Sequence, residues 1–490
     1  MKKTVDRANA FIRAHAGNTK GRYRPRYHAC VPVGWANDPN GLIFYEGKAH
    51  LFCQYNPYHP YWESMHWGHF VSTDLIRWEF LPVALAPDQN YDCGGGCFSG
   101  TALEHEGKLF LMYTGVAKNV QQQCLAVSED GVTFEKAASN PVIPASLLPE
   151  GCSGRDFRDP KVFERQGAFY CITGVKDGEW GNLLLFRSPD LLDWSFVGRL
   201  LSPEEDGIFV DGVCECPDYL EVDGKELLLF CAMNYPEREG RFQNVHSSLY
   251  MTGHLDLSSG RFEPETCGEL DGGYDFYAPQ TMRLPDGRRV LIAWKQMWGR
   301  TIPTAVDGWA GSFTLPRELH IIDGALFQTP VKEIEGHRCG EVFYHDIPLC
   351  NECRQLAGIE GTVLELDAVF SLGSAKRAGV VLFQGETHET LVFYDAEAGR
   401  VVFDRSQSGA DQRGSENESN VRVLPLSLEN GTISFRIFLD VSSAEVFLNG
   451  GRGVMTGNIY ADEGDRGISF FAEGGDATLL SVKKYDLNLI

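Results

Sequence analysis

Gly47–Pro57 reads "GKAHLFCQYNP": a turn glycine, a run dominated by apolar side chains, then an Asn-Pro turn signal. Related stretches begin at Gly107 ("GKLFLMYTGV"), Gly167 ("GAFYCITGV"), Gly224 ("GKELLLFCAMN") and Gly287 ("GRRVLIAWKQ"). The copies recur every sixty or so residues, roughly the span of four short strands and their loops. A second pattern follows three of them: "STDLIRWEFL" from Ser72, "SEDGVTFEKA" from Ser128 and "SPDLLDWSFV" from Ser188. Each reads as a strand end, a tight turn carrying Asp, and an aromatic that opens the next strand. Helical periodicity between the copies is almost absent. The expectation is an all-β chain whose residues 1–335 form a five-bladed β-propeller, preceded by a short amphipathic helix in "MKKTVDRANAFIRAHAG". Inner strands would line an axis, so residues far apart in sequence would meet in one pocket.

Past residue 340 the repeat stops. Runs such as "TVLELDAVFSL", "AGVVLFQG" and "ISFRIFLDVSSAEVFLNGG" alternate over short spans with Gly, Asn and Asp turns. That pattern indicates a C-terminal β-sandwich over residues 345–490. The polar stretch Ser406–Asn420 reads as a mobile loop between strands.

A chain of 490 residues exceeds one ordinary core. Its formal charge of -23 argues against nucleic acid and anionic membranes, whose partners are normally basic. It suits a neutral or small substrate, and the 12% aromatic content offers faces for sugar rings. The N-terminus lacks the apolar core of a secretory signal, so the expected location is cytoplasmic. The 14 cysteines then read as reduced thiols, several of them in apolar strand-like runs. "CNEC", Cys350 to Cys353, is a lone CxxC without the second pair of a zinc site. His66 and His69 in "HWGHF" read as structural, so no metal is expected.

Three acids stand in unusual company: Asp38 in "WANDPNG", Asp159 in "FRDPKVF" and Glu215 in "VCECPDYL". Each falls at the inner strand of the first, third or fourth repeat. An Asp before Pro also simply shapes turns, and Arg158–Asp159 also fits a surface ion pair of little consequence. Glu215, between Cys214 and Cys216, is harder to dismiss, because a lone ionised Glu among apolar neighbours is costly. Cleaving a glycosidic bond needs one protonated carboxyl for the leaving oxygen and one carboxylate to attack or to assist water. Glu215 fits the acid, with its proton affinity raised by burial. Asp38, beside Asn37 in a turn rich in N–H groups, fits the ionised nucleophile. Asp159 fits the grip on sugar hydroxyls, kept charged by Arg158. Trp35, Gln54, Trp62, Phe98, Ser99, Tyr277, Trp294 and Trp309 fall at or near the same inner loops and are the candidate sugar-binding residues.

These motifs resemble glycoside hydrolase family 32, the β-fructofuranosidases. "WANDPNG" is similar to the family's nucleophile motif, with Ala36 where Met is usual; "FRDP" to its transition-state-stabiliser motif; "ECPD" to its acid/base motif. "QYNP", "CFSGTA", "FYAPQTM", "LPREL" and "QTPVKEIE" follow in the family's order, and "FLDVSSAEVFLNGG" resembles its sandwich signature, with Val441 for the usual Arg. The resemblance runs from about residue 22 to the C-terminus. It implies a five-bladed propeller plus sandwich, retention of configuration and no cofactor. It implies Asp38 as nucleophile, Glu215 as acid/base and Asp159 as stabiliser. Trp35, Asn37, Gln54, Trp62, Phe98, Ser99, Arg158 and Trp309 would line the fructose side.

The expected reaction is release of terminal β-fructofuranosyl units from sucrose, sucrose-6-phosphate or short fructo-oligosaccharides, with the two carboxyl groups about 5–5.5 Å apart. A fructosyltransferase on the same scaffold is the alternative, and a non-catalytic sugar-binding propeller a more distant one. Ala36 is expected to widen the pocket. Lys295 and Arg300, the basic residues nearest a plausible leaving-group loop, are expected to be solvated surface charges. The sequence does not set the oligomeric state.

Overall fold

The computed structural model describes residues 3–415 and 418–489. It is almost wholly β, as expected. Among the described residues, helix Val5–His15 is the one long helix; the Thr4 hydroxyl accepts from the Arg7 N–H at its start, and Ala8 and Ile12 bury one face.

Residues 34–330 form five antiparallel sheets. Their inner strands are Gly34–Tyr45, Gly96–His105, Cys152–Arg165, Cys214–Val222 and Tyr277–Arg283. Each inner strand pairs with the strand that follows it through a hairpin whose turn holds one of the five repeat glycines. Gly47, Gly107, Gly167, Gly224 and Gly287 all have φ between 71° and 93°, which is why the turn selects glycine. The Asp of the second pattern has an equally local cause. Asp74, Asp130 and Asp190 each accept two backbone N–H groups from residues two and three positions ahead, and a serine hydroxyl from two positions behind.

The inner strands pack in a closed succession, first against second and onward, with the fifth against the first. Trp309–Ala310 adds a short parallel strand to Gly34–Trp35, tying the end of this region to its beginning. Every inner strand also breaks register once or more. The breaks fall beside Pro39, Ser99, Asp159–Pro160, Cys216–Pro217 and Ala278–Pro279. Asp159, Cys216 and Ala278, each just before a proline, have φ of 63°, 47° and 51°. Proline supplies no ladder donor, so the chain bulges there and re-aims the preceding side chain.

Residues 338–487 form two six-stranded antiparallel sheets. One core contains Leu364, Leu366, Ala368 and Phe370 from the first and Ala378, Val380 and Leu382 from the second. All 14 cysteines are free thiols. Part of the polar stretch at 406–420 is anchored rather than loose. Gln412 is buried and donates to the Asn458 carbonyl, and Glu418 pairs with Arg300; residues 416–417 lie outside the described residues.

A buried network joins the two regions. The Arg317 guanidinium, fully buried, donates to Asp271 at 3.0 Å and Glu445 at 2.6 Å. His28 sits between Asp440 (2.7 Å) and Glu445 (2.8 Å), with a carboxylate oxygen at each ring nitrogen. Lys295 and Arg300, expected at the surface, belong here. Lys295 donates to Ser443, Arg300 pairs with Asp275, and both are almost completely buried. Arg300 meets the Asp275 and Glu418 carboxylates, whereas Lys295 is held by a neutral hydroxyl and burial lowers its proton affinity.

Burial alone would raise the Glu445 carboxyl, but Arg317 and His28 outweigh it and hold it at about 2. Its contribution to stability is therefore complete above the unfolded value of about 4.3 and is lost as pH falls toward 2. Glu445→Gln leaves Arg317 and His28 facing a neutral amide. Breaking one member of a buried pair typically costs about 3–5 kcal/mol. A large drop in the urea midpoint at pH 7 is expected, and an unchanged midpoint would contradict the network's role.

Candidate active site

The re-aimed side chains meet in a cavity of about 370 Å³ at one end of the inner strands. Asn37, Asp38, Gln54, Trp62, Phe98, Ser99, Gln121, Arg158, Asp159, Glu215 and Trp298 line it. All three predicted acids are among them. Asp38 comes from the first sheet, Asp159 from the third and Glu215 from the fourth.

Each acid has a different setting. Ser99 donates to Asp38 Oδ2 at 2.7 Å, and the Cys216 thiol lies 3.6 Å from the same oxygen. Asp38 Oδ1 has no hydrogen-bond partner among the described residues. The Cys216 N–H donates to Asp159 Oδ2 at 3.0 Å, and its thiol lies 3.7 Å from that oxygen. One residue thus bridges two acids. Glu215 Oε1 receives two bonds from Arg158, at 2.9 and 3.2 Å, and Oε2 receives the Tyr277 hydroxyl at 2.6 Å. These two partners stand one position before the Asp159 and Ala278 bulges, just as Glu215 stands one position before the Cys216 bulge.

The charge balance differs from the sequence expectation. Burial raises Glu215, but Arg158 and the Tyr277 hydroxyl more than reverse it, so its carboxyl is held below the ordinary range. The flanking cysteines do not decide its acidity; the Arg158 guanidinium at 2.9 Å and the Tyr277 hydroxyl at 2.6 Å do. Asp159 is pushed up to about 7 by burial, against Arg158 and with the negative charges of Glu215 and Asp38. Asp38 is also raised, chiefly by burial, with the Ser99 bond opposing it. The three carboxyls share a small cavity with one guanidinium, so the charge of each bears on the proton affinity of the others.

Four expected sugar contacts lie behind the wall. Trp294 is fully buried, Tyr277 is 1% exposed, Trp309 3% and Trp35 8%, and none lines the cavity. Trp35, Trp294 and Tyr277 pack in one cluster with Cys231, Ala278 and Met297. Trp309 lies under the Arg24 guanidinium. Trp35 acts at one remove, donating its indole N–H to Asn37 Oδ1 at 2.8 Å. Asn37, Gln54, Trp62, Phe98, Ser99 and Arg158 line the cavity as expected. Trp62 is 44% exposed and packs edge-on against Phe98, so an aromatic face remains open at the rim. Ala36 does not widen the cavity; it is fully buried in the core behind the strand with Cys53 and Tyr55.

Gln121 and Trp298 line the cavity without having been foreseen. Gln121 lies on the third strand of its sheet, outside the inner-strand logic, and accepts from the Phe157 N–H. Trp298 follows the second strand of the fifth sheet and stacks at a tilt on Trp294 and Trp35.

Comparison with known proteins agrees with these motifs. Residues 28–330 match the model of the glycosyl hydrolases family 32 N-terminal domain, and residues 341–486 that of the family 32 C-terminal domain. Sucrose-6-phosphate hydrolase of Zymomonas mobilis is 36% identical over 489 residues, covering 94% of this chain and 92% of the relative. Raffinose invertase of Escherichia coli is 36% identical over 504 residues, covering 98% of each. A Bombyx mori GH32 β-fructofuranosidase solved in complex with sucrose superposes with a TM-score of 0.84 at 33% identity, covering 99% of this chain and 98% of that one. The chain belongs to glycosyl hydrolase family 32.

Proposed function

We propose that the protein is a β-fructofuranosidase that hydrolyses sucrose and related β-fructofuranosides by double displacement. The observation that carries this reading is the convergence of Asp38, Asp159 and Glu215, from three separate sheets, on one cavity. Relatives named sucrose-6-phosphate hydrolase and raffinose invertase support the substrate class. Asp38 attacks the anomeric carbon through its unpartnered oxygen. Glu215 protonates the departing oxygen, then deprotonates the water that releases fructose. Asp159 accepts fructose hydroxyls.

The coupled carboxyls supply the acid. Near neutral pH the proton rests mainly on Asp159, pushed up to about 7. Hydroxyl donors placed on Asp159 favour its ionised form, and the proton passes to Glu215, where the leaving oxygen needs it. Activity is therefore expected to fall as pH rises past about 7, when the set loses that proton.

Tyr277 and Arg158 position Glu215 and set its acidity. Tyr277→Phe removes a donor to the ionised form, so Glu215 holds its proton more tightly. The alkaline limb of kcat/KM should move to higher pH, with only a modest loss at the optimum. An unmoved limb would contradict this role.

The finer architecture is part of the same reading. The five sheets, with inner strands in closed succession and Trp309–Ala310 returning to the first, form a five-bladed propeller over residues 1–335. The two six-stranded sheets sharing one core form a β-sandwich over residues 338–487, starting seven residues earlier than the sequence suggests because strand Arg338–Cys350 already belongs to it. Among the described residues no helix is long and apolar enough to cross a membrane, and a cytoplasmic site of action fits the free thiols.

The deciding assay is fructose release from sucrose, sucrose-6-phosphate and inulin. Release from the small sugars supports the proposal; silence on all three from folded protein would overturn it.

A further inference from the structure

The loop between strands Gly453–Asn458 and Gly467–Glu473 crosses from one six-stranded sheet to the other. Asp462 and Asp465 lie on it. Opposite them, His388 precedes strand Glu389–Asp395, at the tip of its hairpin with Arg377–Gln384. His388 Nδ1 is 2.9 Å from Asp465 Oδ2 and 3.6 Å from Asp462 Oδ2. All three donor atoms lie within 4.8 Å of one another. Around an ion with bonds of about 2.0–2.2 Å, neighbouring donors stand about 2.9–3.5 Å apart in octahedral or tetrahedral sites. The 2.9 Å separation stands at the near end of that span and the 3.6 Å separation just beyond its far end.

The surroundings are built for the carboxylate. Asp465 has a side chain only 8% exposed, with Oδ2 against His388 Nδ1 and the Asp462 N–H and Oδ1 turned toward Gly385. A Cβ on Gly385 would stand 1.7 Å from that Oδ1, so glycine at 385 makes the room it occupies. Both residues line a polar cavity of about 960 Å³, with Gln355, Gln384 and Glu386. Arg22 takes Asp462 Oδ1 at 2.7 Å and leaves Oδ2 toward His388. The Asp462 N–H donates to Asp465 Oδ2, which fixes the loop in the conformation that presents both carboxylates.

We propose that His388, Asp462 and Asp465 bind a first-row divalent cation, Zn²⁺ or Mn²⁺, which clips the crossing loop to the hairpin. One imidazole nitrogen with two carboxylates suits such an ion, whereas Ca²⁺ favours an all-oxygen shell of six to eight donors. The cavity supplies open positions for water. The site shares no residue with the active-site cavity, and its role is to stabilise the C-terminal region.

The test uses the full chain carrying Cys350→Ser and Cys353→Ser, so that two exposed thiols cannot compete for the ion. Protein stripped with chelator is titrated calorimetrically with ZnCl₂ and, separately, MnCl₂, with CaCl₂ as control. Melting is followed in parallel. One equivalent of Zn²⁺ or Mn²⁺ should bind and raise the melting midpoint. His388→Ala and Asp465→Asn should each weaken binding about tenfold or more. Asp462→Asn, at a largely exposed position, provides a variant whose fold is not in question and should show the same loss. No binding of either metal at micromolar concentration, or binding that survives in Asp462→Asn, would overturn the proposal and leave the cluster a hydrogen-bonded contact between loop and hairpin.

Discussion

Asp38→Asn is expected to lower kcat on sucrose by about four orders of magnitude or more, while circular dichroism and the melting midpoint stay near wild type. Asparagine keeps the shape of the side chain and can still accept from Ser99, so the cavity wall survives. What it loses is the nucleophilic oxygen. In the native protein Asp38 Oδ1 is buried without a hydrogen-bond partner, an arrangement that stability alone disfavours and that leaves a lone pair free to attack. Removing this charge also lowers the proton affinity of Asp159 and Glu215, because one negative neighbour is gone. Near-normal turnover in a folded Asp38→Asn protein would remove Asp38 from the mechanism.

Glu215→Gln is expected to lower kcat on sucrose by about two to four orders of magnitude, the usual worth of a positioned proton donor. The loss should depend on the leaving group. Glucose departs poorly without a proton, whereas fluoride from β-fructofuranosyl fluoride departs readily. The variant should therefore keep much of its rate of fructosylation on the fluoride and little on sucrose. Added azide should restore the second step, since a small anion can attack without a base. Equal losses on both substrates would show that Glu215 orients the sugar rather than transferring the proton.

The parts of the fold legible in the sequence are those with strictly local causes. A glycine at each repeat turn needs its positive φ, and the Ser-x-Asp turns close through contacts within five residues. The three acids were legible because each sits within two residues of a proline that bulges an inner strand. Contacts made across sheets were not legible. Nothing near Glu215 in sequence announces Arg158 from the third sheet or Tyr277 from the fifth, and those two reverse the direction of its acidity. Trp294 and Trp309 carry aromatic rings near the right loops, but the face of the strand decides whether a ring meets sugar or core. Lys295 and Arg300 looked like surface charges because their partners, Ser443 and Asp275, lie 148 and 25 positions away. Ala36 shows the same limit: it neighbours Asp38 in sequence and faces the opposite side of the strand.

The most direct measurement is the location of the covalent intermediate. Glu215→Gln lacks the base that activates water, so the fluoride should fructosylate it faster than the adduct hydrolyses. Proteolysis and mass spectrometry of the quenched reaction should then find a fructosyl ester on the peptide that contains Asp38, absent when Asp38→Asn is added. An adduct on another residue, or turnover without any adduct and with inverted product, would contradict double displacement through Asp38.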